Sequence, residues 1–272
     1  MQGGHGGAPP SRPLMQQTAV RHGRHIADED VGEGWPAVVL VHGACGRRSH
    51  YAAQLARLAQ QHRVLALALR GHGESAAPPD GFTLRDDAED VLAVCEAAGL
   101  ARSVLGGHRM PVALSAATRH PERVAGGALL EGARLYPEAL RAHVVTSLLP
   151  ALAGAGWVAA MPRSLVGRGI APSDSGDLSG DLKARLLAAI ATAPAHMAAH
   201  MAAPVGQDLM TRDVSPFLTG ASPLLSVHAR VPAELTRLQE LRPAVLRGAV
   251  GGSGHWMMLD DAHGSRPGQC HA

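Results

Sequence analysis

Short, continuous apolar runs punctuate this chain at residues 37–41, 64–69, 103–106, 124–130, 224–227 and 245–250. None alternates apolar with polar, the pattern of strands buried on both faces of a parallel sheet. Between them the period changes. Residues 51–61 place Leu55 and Leu58 at helical spacing, and residues 84–98 put Leu84, Ala88, Val91 and the pair Val94/Cys95 on one stripe. Strands alternating with helices predict an α/β fold: a doubly wound, mostly parallel sheet. From residue 134 to 217 the strand pattern gives way to Ala-rich helical segments broken by Pro162 and by the polar, Gly-rich run 170–180. The expected organisation is therefore a core over 17–133 and 217–272 with a helical cap inserted at 134–216. Residues 1–16, with Gly3-Gly4, Gly6-Gly7 and Pro9-Pro10, read as a disordered leader, and Met15 is a candidate start. The end, 256–272, holds Gly264, Pro267 and Gly268 and no amphipathic helix.

Composition narrows the function classes. A chain of 272 residues with 46% hydrophobic content can bury a sizeable core. Its net charge of +2 offers no polyanion-binding face, so neither nucleic acid nor electrostatic membrane attachment is expected. Residues 144–161 carry no charge, but Thr146, Ser147, Pro150, Gly154 and Gly156 favour cap helices over a membrane span. Cys45, Cys95 and Cys270 lie far apart, without disulfide-scaffold or zinc-site spacing, and read as free thiols in a reducing compartment. The N-terminus has no apolar core of a signal peptide, so a cytoplasmic location is expected.

The candidate chemistry sits in four Gly-rich segments, each following a predicted strand or lying near the C-terminus. They are His42-Gly43-Ala44-Cys45-Gly46, Gly71-His72-Gly73-Glu74-Ser75, Gly107-His108-Arg109-Met110-Pro111 and Gly251-Gly252-Ser253-Gly254-His255-Trp256. Together these resemble the α/β-hydrolase superfamily, whose nucleophile occupies a sharp strand-to-helix turn of the form G-x-S-x-G. Here arginine stands at the serine position and Pro111 replaces the last glycine. The run from this turn to Arg119-His120-Pro121-Glu122-Arg123-Val124 is also shorter than the family's by about two residues, or half a helical turn.

The resemblance implies a site. Ala44 and Met110 would supply oxyanion-hole N–H groups, and His255 would be the proton-shuttling histidine. The usual place for the acid, after 224–227, reads His228-Ala229-Arg230-Val231 and holds no carboxylate. Glu131, after the strand that follows the elbow helix, is the alternative used by some members, although a helix N-terminal acid stabilised by the helix dipole explains it equally well. Arg109 cannot attack an acyl carbon, since its guanidinium stays protonated and offers no lone pair. Cys45 would need a neighbouring base to replace it, and Ser75 lies in a loop that does not supply the family's serine.

An ester- or acyl-hydrolase-like protein, weak or inactive for want of a nucleophile, is the resulting expectation. The alternatives are a non-catalytic binder of a small ligand, with Arg109 holding an anion, a His255-dependent reaction that needs no nucleophile, and a decayed copy of such an enzyme. The expected partner is a small molecule bound under the cap, where Trp157, Met161, Met197 and Met201 are apolar candidates for lining. No cofactor and no metal is expected.

Overall fold

The computed structural model describes residues 15–43, 46–108, 112–131, 222–228, 239–240, 242–250 and 256–260. Strands β1 (Met15–Arg21), β2 (Arg24–Val31), β3 (Val38–Val41), β4 (Val64–Leu67), β5 (Ser103–His108), β6 (Val124–Leu130), β7 (Leu224–His228) and β8 (Leu246–Ala249) form one sheet in the order β1-β2-β4-β3-β5-β6-β7-β8. β3 to β8 are mutually parallel, and β1 and β2 are an antiparallel extension at one edge. Helices α1 (Ala52–Leu58), α2 (Leu84–Ala97), α3 (Val112–Arg119) and α4 (Met257–Asp260), with 3-10 turns at Arg48–Tyr51 and Pro121–Arg123, complete the described elements.

The unbroken apolar runs are explained by burial on two faces. Val39, Val41, Leu65, Leu67 and Leu105 pack with α2 and α3 residues such as Ala88, Val91, Val112 and Ala116. The alternate positions, Leu40, Val64 and Ala66, pack with Tyr51, Leu55, Trp256 and Met258 on the other side. Helices thus cover both faces, as a doubly wound sheet requires. The cap expected at 134–216 falls outside the described residues, as does the uncharged stretch 144–161; among the described residues no helix is long and apolar enough to cross a membrane.

β1 and β2 are the elements the hydrophobic pattern did not predict, and β1 begins two residues inside the span read as a leader. The reason is visible in β2, Arg-His-Ile-Ala-Asp-Glu-Asp-Val, where charge masks the strand. Asp30 is buried because the Arg63 guanidinium forks onto it, with Nε at 3.0 Å and Nη2 at 2.6 Å. Asp28 is buried beside Asp30, and desolvation together with that like charge pushes its carboxyl up to about 6. His22 and Gly23, both at positive φ, form the two-residue turn between the strands.

Helix α2 starts in a capping box: Thr83 Oγ1 accepts from the Asp86 N–H at 3.1 Å, and Asp86 Oδ2 accepts from the Thr83 N–H at 3.1 Å. A turn later, Arg70 from the loop after β4 donates to Asp90 through Nε at 2.6 Å and Nη2 at 2.7 Å. This buried pair fastens the loop to the helix, and removing one partner from such a pair strands the other.

Candidate functional site

At the C-terminal ends of the parallel strands, where sheets of this kind build their sites, the described residues after β3 and the last residue of β5 meet the segment that begins at Trp256. Trp256 is buried at 2% exposure. The His108 ring, at the end of β5, lies 5.2 Å from it by centroid at an interplanar angle of 40°, and the His50 ring meets it edge-on at 5.5 Å. Arg109 is bonded to His108, and His255 is bonded to Trp256. The two residues that carry the predicted nucleophile position and the predicted histidine by peptide bonds therefore touch.

The segment carrying Trp256 is held from below as well. Gln54 Nε2 on α1 donates to the Met258 carbonyl at 3.0 Å, and Trp256 and Met258 share the core on this face of the sheet with Tyr51 and Leu55. The Tyr51 hydroxyl donates to the Val41 carbonyl at 3.0 Å, which ties the residue before His42 to the same cluster.

His42 shows what the His-Gly pair does after β3. Its Nε2 accepts from the Leu69 N–H at 3.0 Å, so Nδ1 carries the proton and donates to the Gly43 carbonyl at 2.8 Å. Both nitrogens are committed, and burial, reinforced by the His72 ring at 4.7 Å, holds the imidazole well below its usual range and neutral. It ties the residue after β3 to the segment after β4 and is no proton shuttle. Gly43 is required by contact: a Cβ there would come within 2.8 Å of both His108 Nδ1 and the His108 carbonyl oxygen. Gly43→Ala is therefore expected to destabilise the fold by about 1–3 kcal/mol, the usual cost of overpacking, read from urea unfolding; stability equal to the parent's would show that the two loops do not pack as described.

Glu131 is 6% exposed and sits at φ +51°, a left-handed conformation that a non-glycine residue adopts at some cost. Its N–H donates to the Val227 carbonyl at 2.8 Å, so it extends the β6–β7 ladder by one residue at the C-terminal end of the sheet. The β5–β6 register pairs His108 with Leu130, which puts Glu131 one residue beyond the pair that leads into Arg109. At the end of β7, Ser226 Oγ lies 2.7 Å from His228 Nε2, both buried.

Of the residues the sequence singled out, Glu131 lies within the description. Ala44, Cys45, Arg109, Met110, Pro111, His255 and Cys270 lie outside it. Ser75 is not a nucleophile candidate: its hydroxyl donates to the Ala68 carbonyl at 2.6 Å and accepts from the Ala27 N–H at 2.9 Å. The sequence reading missed His108 and Trp256 as a contacting pair, although both were in view as neighbours of the residues it chose. Among the described residues no group of His, Cys, Asp or Glu could hold a metal ion.

Residues 36–152 match the family model described as alpha/beta hydrolase fold. A relative from Klebsiella pneumoniae subsp. pneumoniae named "Putative carbamate hydrolase RutD" is 36% identical over 134 residues, 47% of this chain and 50% of that protein. The dihydrolipoyllysine-residue acetyltransferase component of an acetoin cleaving system from Pseudomonas putida is 37% identical over 133 residues, 48% of this chain and 36% of that protein. The chain thus spans about half the length, or less, of these curated relatives. A thermophilic esterase from Thermogutta terrifontis has a similar structure, with a TM-score of 0.70 at 22% identity, covering 90% of this chain and 92% of that one. The chain has the α/β-hydrolase fold.

Proposed function

We propose that this protein is ester- or acyl-hydrolase-like, with an acyl-ligand site built on the loops after β3, β5, β6 and β8, and that its hydrolytic turnover is weak or absent because Arg109 occupies the nucleophile position. The observation that carries this reading is the contact of the buried His108 and Trp256 rings. It couples the turn bearing Arg109 to the loop bearing His255, the two parts that a hydrolase of this fold must align within hydrogen-bond reach. Curated relatives that include a hydrolase, and esterases among the similar structures, support the same class.

In this reading Ala44 and Met110 direct their N–H groups at the oxygen of a bound acyl group, and His255 moves the proton. Glu131 is the acid that orients His255, held at the sheet end by its bond to Val227. Arginine at 109 forms no acyl-enzyme, so what remains is ligand binding and polarisation of the acyl carbon toward water. Such remnants sustain about 10³- to 10⁴-fold acceleration over water when a triad is lost.

The test is hydrolysis of p-nitrophenyl acetate and butyrate by the purified chain beside His255→Ala. The parent is expected to show no burst, no labelling by a serine-directed phosphonate, and at most slow turnover that His255→Ala removes. A stoichiometric burst with a covalent acyl adduct would overturn the proposal, because it would require a nucleophile other than residue 109.

A further inference from the structure

At the same end of the sheet, but on its β1–β2 edge, lies a cavity of a different kind. The turn between β1 and β2, the loop after β4 and the start of α2 enclose a cavity of about 200 Å³. That is smaller than the ~300–1,000 Å³ of pockets for drug-sized ligands, so its occupant has few heavy atoms. Arg21, Arg24 and Arg70 line it together with Asp80, Asp86 and Asp90.

Equal numbers of arginines and aspartates do not mean equal availability. Asp90 already accepts from Arg70 Nε at 2.6 Å, Arg70 Nη2 at 2.7 Å and Arg21 Nη1 at 3.0 Å. Asp86 Oδ2 is bonded to the Thr83 N–H and hydroxyl, and its Oδ1 stands 3.7 Å from Arg70 Nη1. Arg70 is consumed in turn, since it also bonds the Gly81 and Asp86 carbonyls. The inner acids and Arg70 thus form a closed set, which takes one N–H of Arg21.

What remains is Arg24, 42% exposed, whose ion pair is a 4.0 Å approach of Nη2 to Asp80, a side chain that is itself 82% exposed. The β1–β2 register places Arg21 directly opposite Arg24. Like charges paired across strands repel each other, and an anion between them reverses that term. Arginine forks match the oxygens of a phosphate in charge and geometry.

We propose that this cavity binds a small phosphate-type oxyanion, bridged by the Arg24 fork and the remaining N–H groups of Arg21, with Asp80 as the mouth carboxylate that the anion displaces. Arg24 starts β2 and Arg21 ends β1, three and four places from β5 in the sheet order, so the site is separate from the turn that bears Arg109 and does not rest on the acyl-site reading.

Calorimetric titration of the full chain with inorganic phosphate at low ionic strength tests this. Saturable one-to-one binding is expected, weakened about tenfold or more by Arg24→Met, in line with the loss of charge-assisted hydrogen bonds. Asp80→Asn is expected to tighten it. Arg24 lies outside the Arg70–Asp90 pair, so its replacement leaves the fold intact, which the melting curve of the variant checks. Glycerol 3-phosphate separates the sources: binding as tight as that of phosphate assigns the cavity to a phosphomonoester, and binding of phosphate alone assigns it to the free ion. Absence of saturable binding by either, an unchanged affinity in Arg24→Met, or weaker binding in Asp80→Asn overturns the proposal.

Discussion

Arg109→Ser is expected to turn the protein into an esterase, raising p-nitrophenyl acetate turnover by about 10³-fold over the parent. The size follows from two opposed terms. Loss of the serine alone from a triad costs about 2 × 10⁶ in kcat, so a serine returned to an intact site would recover a gain of that order. In the proposed reading the site is not intact. On the resemblance, Pro111 stands where the family has glycine and the run from the turn to Arg119 is about two residues, or half a helical turn, shorter, while a misplacement of about 1 Å at a reacting group costs about 10² or more. The His108–Trp256 contact argues that the histidine loop keeps its place while residue 109 changes, since neither ring belongs to the substituted position. Labelling by a serine-directed phosphonate gives a second readout that does not depend on ester choice. A folded Arg109→Ser variant that neither labels nor turns over ester would mean that His255, the oxyanion donors, or both are out of place. The hydrolase-like reading would then fail and the fold alone would stand.

Much of the fold was legible because a parallel sheet covered on both faces writes itself as uninterrupted apolar runs. Residues 124–130 were read as a strand and form β6 with the same bounds, and α2 differs from its expected range by one residue. β5 extends to His108, two residues past the expected end, because Gly107 and His108 pair with Leu129 and Leu130 despite the glycine and the polar ring. The edge hairpin was illegible for the opposite reason. β2 keeps its charges inside the sheet edge by pairing them, Asp30 with Arg63, and hydropathy cannot register a partner that lies 33 positions away. The same holds for Asp90, which α2 buries and which accepts from Arg70 and Arg21, 20 and 69 positions away.

The site was legible as a set of motifs and illegible as a geometry. Glycines mark where backbone approaches backbone, and Gly43 against the His108 carbonyl is such a place. What the sequence could not give was the role of His42, which it marked only as the first residue of a Gly-rich segment. Two hydrogen bonds and full burial show it to be a brace. Nor could spacing reveal that His50, His108 and Trp256, far apart in sequence, close into one cluster. That cluster depends on sheet order, since β3 and β5 are neighbours while the strand between them in sequence, β4, lies on the outer side of β3.

The largest expected change in stability is a gain, from Asp87→Asn. Asp87 is fully buried on α2, neither of its carboxylate oxygens has a hydrogen-bond partner, and desolvation pushes its carboxyl up to about 8 against the pull of Arg70. The folded protein therefore keeps a proton that the unfolded chain releases near pH 3.8. Between those two values the unfolded state binds fewer protons, so this residue's contribution falls as pH rises, by up to about 1.4 kcal/mol per pH unit, and levels off above about 8. Asn cannot ionise and removes that slope. At pH 7.5 the variant is expected to be more stable by about 2–4 kcal/mol, less than the full linkage value because a buried carboxamide also lacks partners. At pH 4 the two proteins should be nearly equal. Asp28, raised to about 6, adds a similar loss at lower pH, and the neutral His42 opposes it below the ordinary histidine range; both are common to parent and variant and cancel in the difference. Urea unfolding of the pair from pH 4 to pH 8.5 measures this directly. A stability difference that does not widen with pH would mean that the Asp87 carboxyl is ionised in the folded protein, with Arg70 serving as its counter-ion as well as that of Asp90.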